Sequence, residues 1–205
     1  SSDPTTRYIQ QYAAIAQEEM RRYKIPASIT LAQGLLESQL GQGVLAKKSN
    51  NHFGIKCKRE WKGKKVYHDD DAPGECFRAY EDPKESYRDH SLFLAERERY
   101  ASLFRLKKTD YKAWAKGLKK AGYATDPAYA DKLIGLIERL SLWKYDNPKV
   151  SPNFSVRDRD IHIVQKGDTL YRLSKRYKIS VENLKKINGL TSSEIQIGQY
   201  IRLKK

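Results

Sequence analysis

Residues 26–41 read Pro26-Ala27-Ser28-Ile29-Thr30-Leu31-Ala32-Gln33-Gly34-Leu35-Leu36-Glu37-Ser38-Gln39-Leu40-Gly41, and the first part of the chain is understood from them. Ser28 can cap a helix there, and Ile29, Leu31, Leu35, Leu36 and Leu40 carry it forward until Gly41 and Gly43 stop it. One carboxylate, Glu37, therefore stands near the end of a largely apolar helix. Apolar surroundings raise the pKa of a carboxyl and can keep it protonated near neutral pH. A lone helical Glu is more often an exposed surface residue, so the rest of the chain decides.

Upstream, Ile9, Tyr12, Ala13, Ala16 and Met20 recur at three- and four-residue steps, which predicts an amphipathic helix over 6–20 that Lys24-Ile25-Pro26 ends. Downstream the pattern becomes strand-like in Phe53-Gly54-Ile55-Lys56-Cys57, Lys65-Val66-Tyr67-His68 and Cys76-Phe77-Arg78-Ala79-Tyr80. Asp71-Ala72-Pro73-Gly74 supplies a turn, and together these predict a small antiparallel sheet. Helical periodicity returns over 86–98, 110–121 and 126–140, the last entered through Thr125-Asp126-Pro127. The expectation is an α+β chain: a helical domain with a β-lobe over 5–143, a linker over 144–160 rich in Asn, Pro and charge, and a βααβ module over 161–205. The module's Leu170, Leu173, Tyr177, Leu184 and Ile187 must pack efficiently, because so small a unit lies near the lower limit for independent folding.

The 205 residues are 39% hydrophobic, which suits folded material, and carry a formal net charge of +15. That charge favours a polyanionic partner without naming it; nucleic acid, anionic lipid and an acidic wall polymer all fit. No recognition helix or base-stacking motif is present, which argues against nucleic acid. Apolar runs break well before the roughly 20 residues needed to cross a bilayer. The start, Ser1-Ser2-Asp3-Pro4-Thr5-Thr6, lacks a basic segment followed by an apolar one, so the chain is either cytosolic or has lost a signal peptide. Cys57 and Cys76 are poorly spaced for a metal and well spaced for a bridge across a hairpin, worth on the order of 3 kcal/mol if formed, in an oxidising compartment. His52, His68, His90 and His162 have no shared-metal spacing and no Gly-rich phosphate loop follows a strand, so no metal and no cofactor is expected.

Leu36-Glu37-Ser38-Gln39-Leu40-Gly41, then Asn50-Asn51-His52-Phe53-Gly54-Ile55-Lys56, Phe77-Arg78-Ala79-Tyr80 and Gly122-Tyr123-Ala124-Thr125-Asp126-Pro127-Ala128-Tyr129-Ala130, in that order, resemble glycoside hydrolase family 73 over most of residues 5–143. The family includes bacterial autolysins and the hydrolase domain of the flagellar rod-cap protein. The resemblance implies a lysozyme-like fold, with a saccharide groove between a helical lobe and a β-lobe, and cleavage after N-acetylglucosamine in peptidoglycan. It implies Glu37 as the acid that protonates the departing glycosidic oxygen. Where many relatives place a second Glu, this chain offers Asp69-Asp70-Asp71 and, past the turn, Glu75; Asp70 or Asp71 is the candidate, although an acidic run there also forms turns. A carboxylate orienting water predicts a separation of about 6.5 to 9.5 Å and inversion, a shorter gap a nucleophile, and a third route uses the substrate's own acetamido group. Tyr123 and Tyr129 match the family's last aromatic positions, as groups that bond the sugar or steady a reacting group or as packed core. Asn51 and Phe53 are expected to build the groove wall and Trp61 to stack on a sugar, or all three to pack the lobe.

Residues 161–205 resemble the LysM family through His162-Ile163-Val164-Gln165-Lys166-Gly167-Asp168-Thr169-Leu170, Ile187-Asn188-Gly189-Leu190 and Ile197-Gly198-Gln199-Tyr200-Ile201. This implies binding of N-acetylglucosamine-containing chains between Gly167, Asp168, Thr169 and Leu170 on one side and Asn188 and Gly189 on the other. Asp168 and Thr169 also suit a helix cap. A tethered binding module raises local substrate concentration, up to about the millimolar range for a linker of this length. The chain is thus expected to be a secreted or periplasmic, wall-associated, monomeric endo-β-N-acetylglucosaminidase acting on peptidoglycan glycan strands. A lytic transglycosylase and a non-catalytic wall-binding protein are the alternatives.

Overall fold

The computed structural model describes residues 4–153 and 161–204. Its elements run α1 (Pro4–Tyr23), α2 (Ala27–Glu37), α3 (Val44–Ser49), β1 (Lys65–His68), β2 (Glu75–Arg78), α4 (Pro83–Glu96), a 3-10 helix (Glu98–Arg105), α5 (Tyr111–Lys120), α6 (Tyr129–Arg139) and a second 3-10 helix (Leu142–Asp146). Then come β3 (Ile161–Ile163), α7 (Leu170–Tyr177), α8 (Val181–Asn188) and β4 (Tyr200–Arg202). This is the expected α+β organisation, a helical domain with a small β-lobe followed by a βααβ unit.

The buried axis of the first domain is α2, packed against α1, α5, α6 and the second 3-10 helix. Ile29, Leu31, Ala32 and Leu35 are wholly buried, and so are the polar Thr30 and Gln33. Each large aliphatic side chain so removed from water contributes about 1.5–3 kcal/mol. A helix buried all round must also let its neighbours close in, and Gly34 does this: a Cβ there would lie 2.6 Å from the Tyr8 hydroxyl and 2.7 Å from that of Tyr87.

Both ends of α2 differ from the sequence reading. Ser28 does not cap; the N-cap is Pro26, and the Asp146 carboxylate accepts bonds from the Ser28 amide (2.7 Å) and hydroxyl (2.6 Å), a side chain from far along the chain satisfying the first turn. The helix stops at Glu37, not Leu40. Ser38 Oγ donates to the Gly34 carbonyl (2.6 Å) and accepts from Gly41 N (2.8 Å), while Gln39, Leu40 and Gly41 take positive φ. Three elements were unforeseen, the six-residue α3, the 3-10 helix after α4 and the second 3-10 helix after α6. The expected linker from 144 also starts inside the first domain's packing. Tyr145 and Asp146 are 1% and 3% exposed, and Gln17 Nε2 donates to the carbonyl of Val150 at 2.9 Å. Residues 154–160 of that stretch lie outside the described residues.

In the β-lobe β1 and β2 pair antiparallel, with Val66 opposite Phe77 and Tyr67 opposite Cys76, and a disulfide joins Cys57 to Cys76. The expected third strand reduces to a bridge from Lys56 to Phe77, because positive φ at Gly54 and Lys58 turns the chain at both ends of 55–57. In the C-terminal unit β3 and β4 pair antiparallel. Successive strand residues face opposite ways, and both faces are used: Val164, Leu170, Leu173, Leu184 and Ile201 form the unit's own core, whereas Ile161 and Ile163 join the core of the first domain. Tyr200 fills a notch at Gly135 of α6 and lies under the Arg139 guanidinium, 4.0 Å from the ring centre.

Candidate active site

Because α2 ends at Glu37 and the chain swings away, that side chain leaves the packed axis and enters a cleft between the helical lobe and the β-lobe. One cavity of about 490 Å³ lies to one side, lined by Phe53, Tyr123 and Tyr129 among others. A second of about 260 Å³ lies to the other, lined by Val44, His68 and Phe77; Glu37, Gly54 and Asp70 line both. The Glu37 carboxyl makes no hydrogen bond or ion pair with the described residues. The side chain is exposed to the cleft, while the two lobes on either side crowd the carboxyl and thin the water around it. Burial first, and the negative charge of Asp70 second, push it up to about 7 from the usual 4.5. Gly54, at φ +64°, keeps the approach open, since a Cβ there would come within 4.0 Å of Glu37 Oε2.

The acidic run divides by geometry. The Asp69 carboxylate accepts the Gly74 amide (2.6 Å) and closes the hairpin turn. Asp71 also lines the larger cavity, but its side chain is 87% exposed and lies 4.0 Å from Lys56 Nζ; Glu75, which does not line that cavity, pairs with the same lysine at 3.3 Å. Asp70 faces Glu37 and raises its pKa, so of the expected pair, Asp70 and Asp71, only the former bears on the acid electrostatically.

Tyr123 and Tyr129 stack in the cleft with ring centres 5.8 Å apart. Tyr123 is half-buried, its hydroxyl makes no hydrogen bond to the described residues, and burial holds its phenol well above the usual range. Tyr129 is held from behind: Gln33 Nε2 donates to its hydroxyl (2.9 Å), and His90 Nε2 donates to Gln33 Oε1 (2.8 Å). Burial lowers His90 to about 3, so it stays neutral and acts as a fixed strut. Gln33 was not singled out by the sequence reading and His90 was weighed only as a metal ligand, although Gln33 lies one turn before Glu37, a spacing that shares a helix face.

Of the residues expected in the groove wall, Phe53 is there, stacked on His90 at 4.1 Å. Asn51 is not. It is 1% exposed and clips its own loop, Nδ2 donating to the carbonyls of Ile55 and Arg78 and Oδ1 accepting from the amides of Phe53 and Ile55. Trp61 does not line the cleft either. It lies under the Arg78 guanidinium at 4.8 Å, meets the Tyr80 ring at 5.6 Å and donates to the Lys64 carbonyl. In the C-terminal unit Leu170 is core at 1% exposure and Thr169 caps α7. Asp168 binds His162 Nε2 (2.7 Å) and the Gln165 amide (2.8 Å), and Asn188 bonds both the amide and the carbonyl of Arg202. Gly167 and Gly189 take positive φ in the two turns. These side chains shape the loops, leaving backbone and Thr169 to face outward. No three metal-ligating side chains converge among the described residues, and no described helix is long and apolar enough to cross a membrane.

A family model described as mannosyl-glycoprotein endo-beta-N-acetylglucosaminidase matches residues 13–142, and the LysM domain model matches 162–204. The chain is similar to the exo-glucosaminidase LytG of Bacillus subtilis (35% identity, over 77% of this chain and 61% of that protein). It is also similar to an autolysin of Enterococcus faecalis (31%, over 98% and 31%). It thus spans between about a third and three-fifths of these relatives. Among solved structures, a peptidoglycan hydrolase from Sphingomonas sp. A1 superposes with a TM-score of 0.60 at 30% identity, over 68% of this chain and 92% of that one.

Proposed function

Since this chain belongs to the glucosaminidase family, glycoside hydrolase family 73, and carries a LysM domain behind a lysozyme-like fold, we propose that it hydrolyses the glycosidic bond after N-acetylglucosamine within peptidoglycan strands. The observation that carries the reading is Glu37: a carboxyl in the cleft with no hydrogen-bond or ion-pair partner among the described residues, raised to about 7. A group held protonated near neutral pH can give its proton to the departing oxygen as positive charge builds on the sugar. The Asp70 carboxylate, on the opposite lobe and lining both cavities, would stabilise that charge and orient the attacking water, and Tyr123 offers its free hydroxyl to the sugar. Cavities on both sides of Glu37 favour cutting within a strand over trimming its end. The LysM domain and the Cys57–Cys76 bridge support action at the wall, outside the reducing cytoplasm.

Digestion of purified sacculi tests this. The parent should release fragments with N-acetylglucosamine reducing ends carrying one added water, and Glu37→Gln should lose at least about a thousandfold in rate, the scale of general-acid loss. Anhydro ends would assign the chain to the lytic transglycosylases. Full lysis by Glu37→Gln would remove Glu37 from the chemistry.

A further inference from the structure

We propose that the LysM domain is a fixed wall of the catalytic cleft rather than a free tether. A glycan strand at Glu37 is then gripped by both domains at once, with Ile197 and Gly198 against sugars on one side of Glu37 and Lys166 against a stem-peptide carboxylate on the other. The substrate in this inference rests on the hydrolase reading; the geometry does not.

Four observations carry it. The first is the double-sided burial of β3. A two-stranded sheet backed by its own helices should show water its other face, yet Ile161 and Ile163 are 5% and 2% exposed, covered by the first domain. A freely hanging module would leave those side chains bare, with Tyr200 beside them. The second is the fit of Tyr200. Any side chain at Gly135 would collide with its hydroxyl, 2.7 Å from a Cβ there, while Arg139 covers the ring at 4.0 Å.

The third is where this docking puts the loop before β4. Ile197 and Gly198 line the larger cavity together with Glu37, Tyr123 and Tyr129. Ile197 is 50% exposed, an apolar side chain suited to the methyl of an acetamido group, and a Cβ on Gly198 would meet nothing within 4 Å, so its backbone is open to the cleft. The Gly198 amide donates to Val164 O (2.8 Å), which fixes the loop to β3. The fourth lies on the other side of Glu37, where Lys166, from the loop after β3, lines the smaller cavity and forms no ion pair with the described residues. The module therefore reaches both halves of the cleft without covering the acid between them.

Binding to the full chain carrying Glu37→Gln, which separates grip from turnover, tests the proposal by calorimetry with soluble uncross-linked glycan strands. Ile197→Asp should weaken binding about fivefold, the scale of one lost apolar contact. Lys166→Glu should weaken strands bearing stem peptides and leave peptide-free strands unchanged. Tyr200→Ala, or Gly135→Leu from the other side of the notch, should undock the module, enlarge the radius of gyration in X-ray scattering and weaken strands as Ile197→Asp does. Parental affinity in Ile197→Asp, which alters only an exposed position, would overturn the proposal. So would an unchanged radius in both undocking variants, or faster cleavage by an undocked but active chain, which would make the module a block. A parent that binds strands through both domains and does not cut them would sink the hydrolase reading alone.

Discussion

At the residue scale, Glu37 is a group whose environment is at odds with the ordinary chemistry of a carboxyl, and that oddity has a sign. Its carboxyl is raised to about 7, by burial and then by Asp70. The acid works only while protonated, so kcat/KM on peptidoglycan should fall as pH climbs through about 7, close to tenfold per unit above it. Removing the Asp70 charge withdraws an upward push, so in Asp70→Asn the alkaline limb should move to lower pH, whatever remains of the rate. A limb that stays in place in a pH-rate titration would show that Asp70 is too far away to matter. Glu37 was legible in the sequence because its neighbours are leucines and because four motifs surround it in order. For Asn51 and Trp61 the sequence left groove wall and lobe packing open for a physical reason: residue type says that an amide or an indole needs partners, not whether those come from a sugar or from the loop's own backbone. Gln33 escaped notice, and His90 was weighed only as a metal ligand, because their task is to hold Tyr129 from behind, through partners distant in sequence.

At the scale of the element, α2 shows where a local rule and a packed neighbourhood disagree. Gly34 sits inside a helix, and helix propensity alone says that Ala would stabilise it by about 1 kcal/mol. The added methyl would, however, meet two tyrosine hydroxyls at 2.6 and 2.7 Å, and those hydroxyls are themselves bonded, Tyr8 to His52 (2.8 Å) and to Tyr87 (2.7 Å). Neither can swing aside without losing a buried hydrogen bond, so overpacking wins. Gly34→Ala should lower stability by about 1–3 kcal/mol, measured by urea unfolding; a gain would mean that the tyrosines relax freely. The same contrast governs which elements could be foreseen. Long amphipathic helices announce themselves through periodicity. By contrast α3 is six residues long, and the 3-10 helix after α4 buries only Tyr100 and Leu103, too few positions to establish a period. The end of α2 was missed because Ser38 turns its hydroxyl on the helix's own backbone, a choice made by the left-handed residues that follow.

At the scale of the whole molecule, the second domain keeps its own core but lends Ile161 and Ile163 to the first, and the net charge bears separately on the proposed substrate. A net +15 is spread over a surface on which most cations are solvated. Of the carboxylates lining the larger cavity, Asp126 is paired with Lys132 at 2.6 Å and Asp71 lies 4.0 Å from Lys56. A neutral sugar chain gains nothing from such a field; an acidic wall does, over distances set by the Debye length, about 10 Å at 0.1 M salt and about 3 Å at 1 M. Raising salt from 0.1 to 1 M should therefore weaken co-sedimentation with sacculi while leaving turnover of a short, uncharged N-acetylglucosamine oligomer nearly unchanged. Both measurements can be made on one preparation. Were the oligomer's turnover to fall in parallel with sacculus binding, salt would be acting on the cleft or on the fold, and the long-range attraction would have no part in recruitment. Were neither to change, docking on the wall would rest on sugar contacts alone, and the positive surface would have to be explained by something other than the substrate.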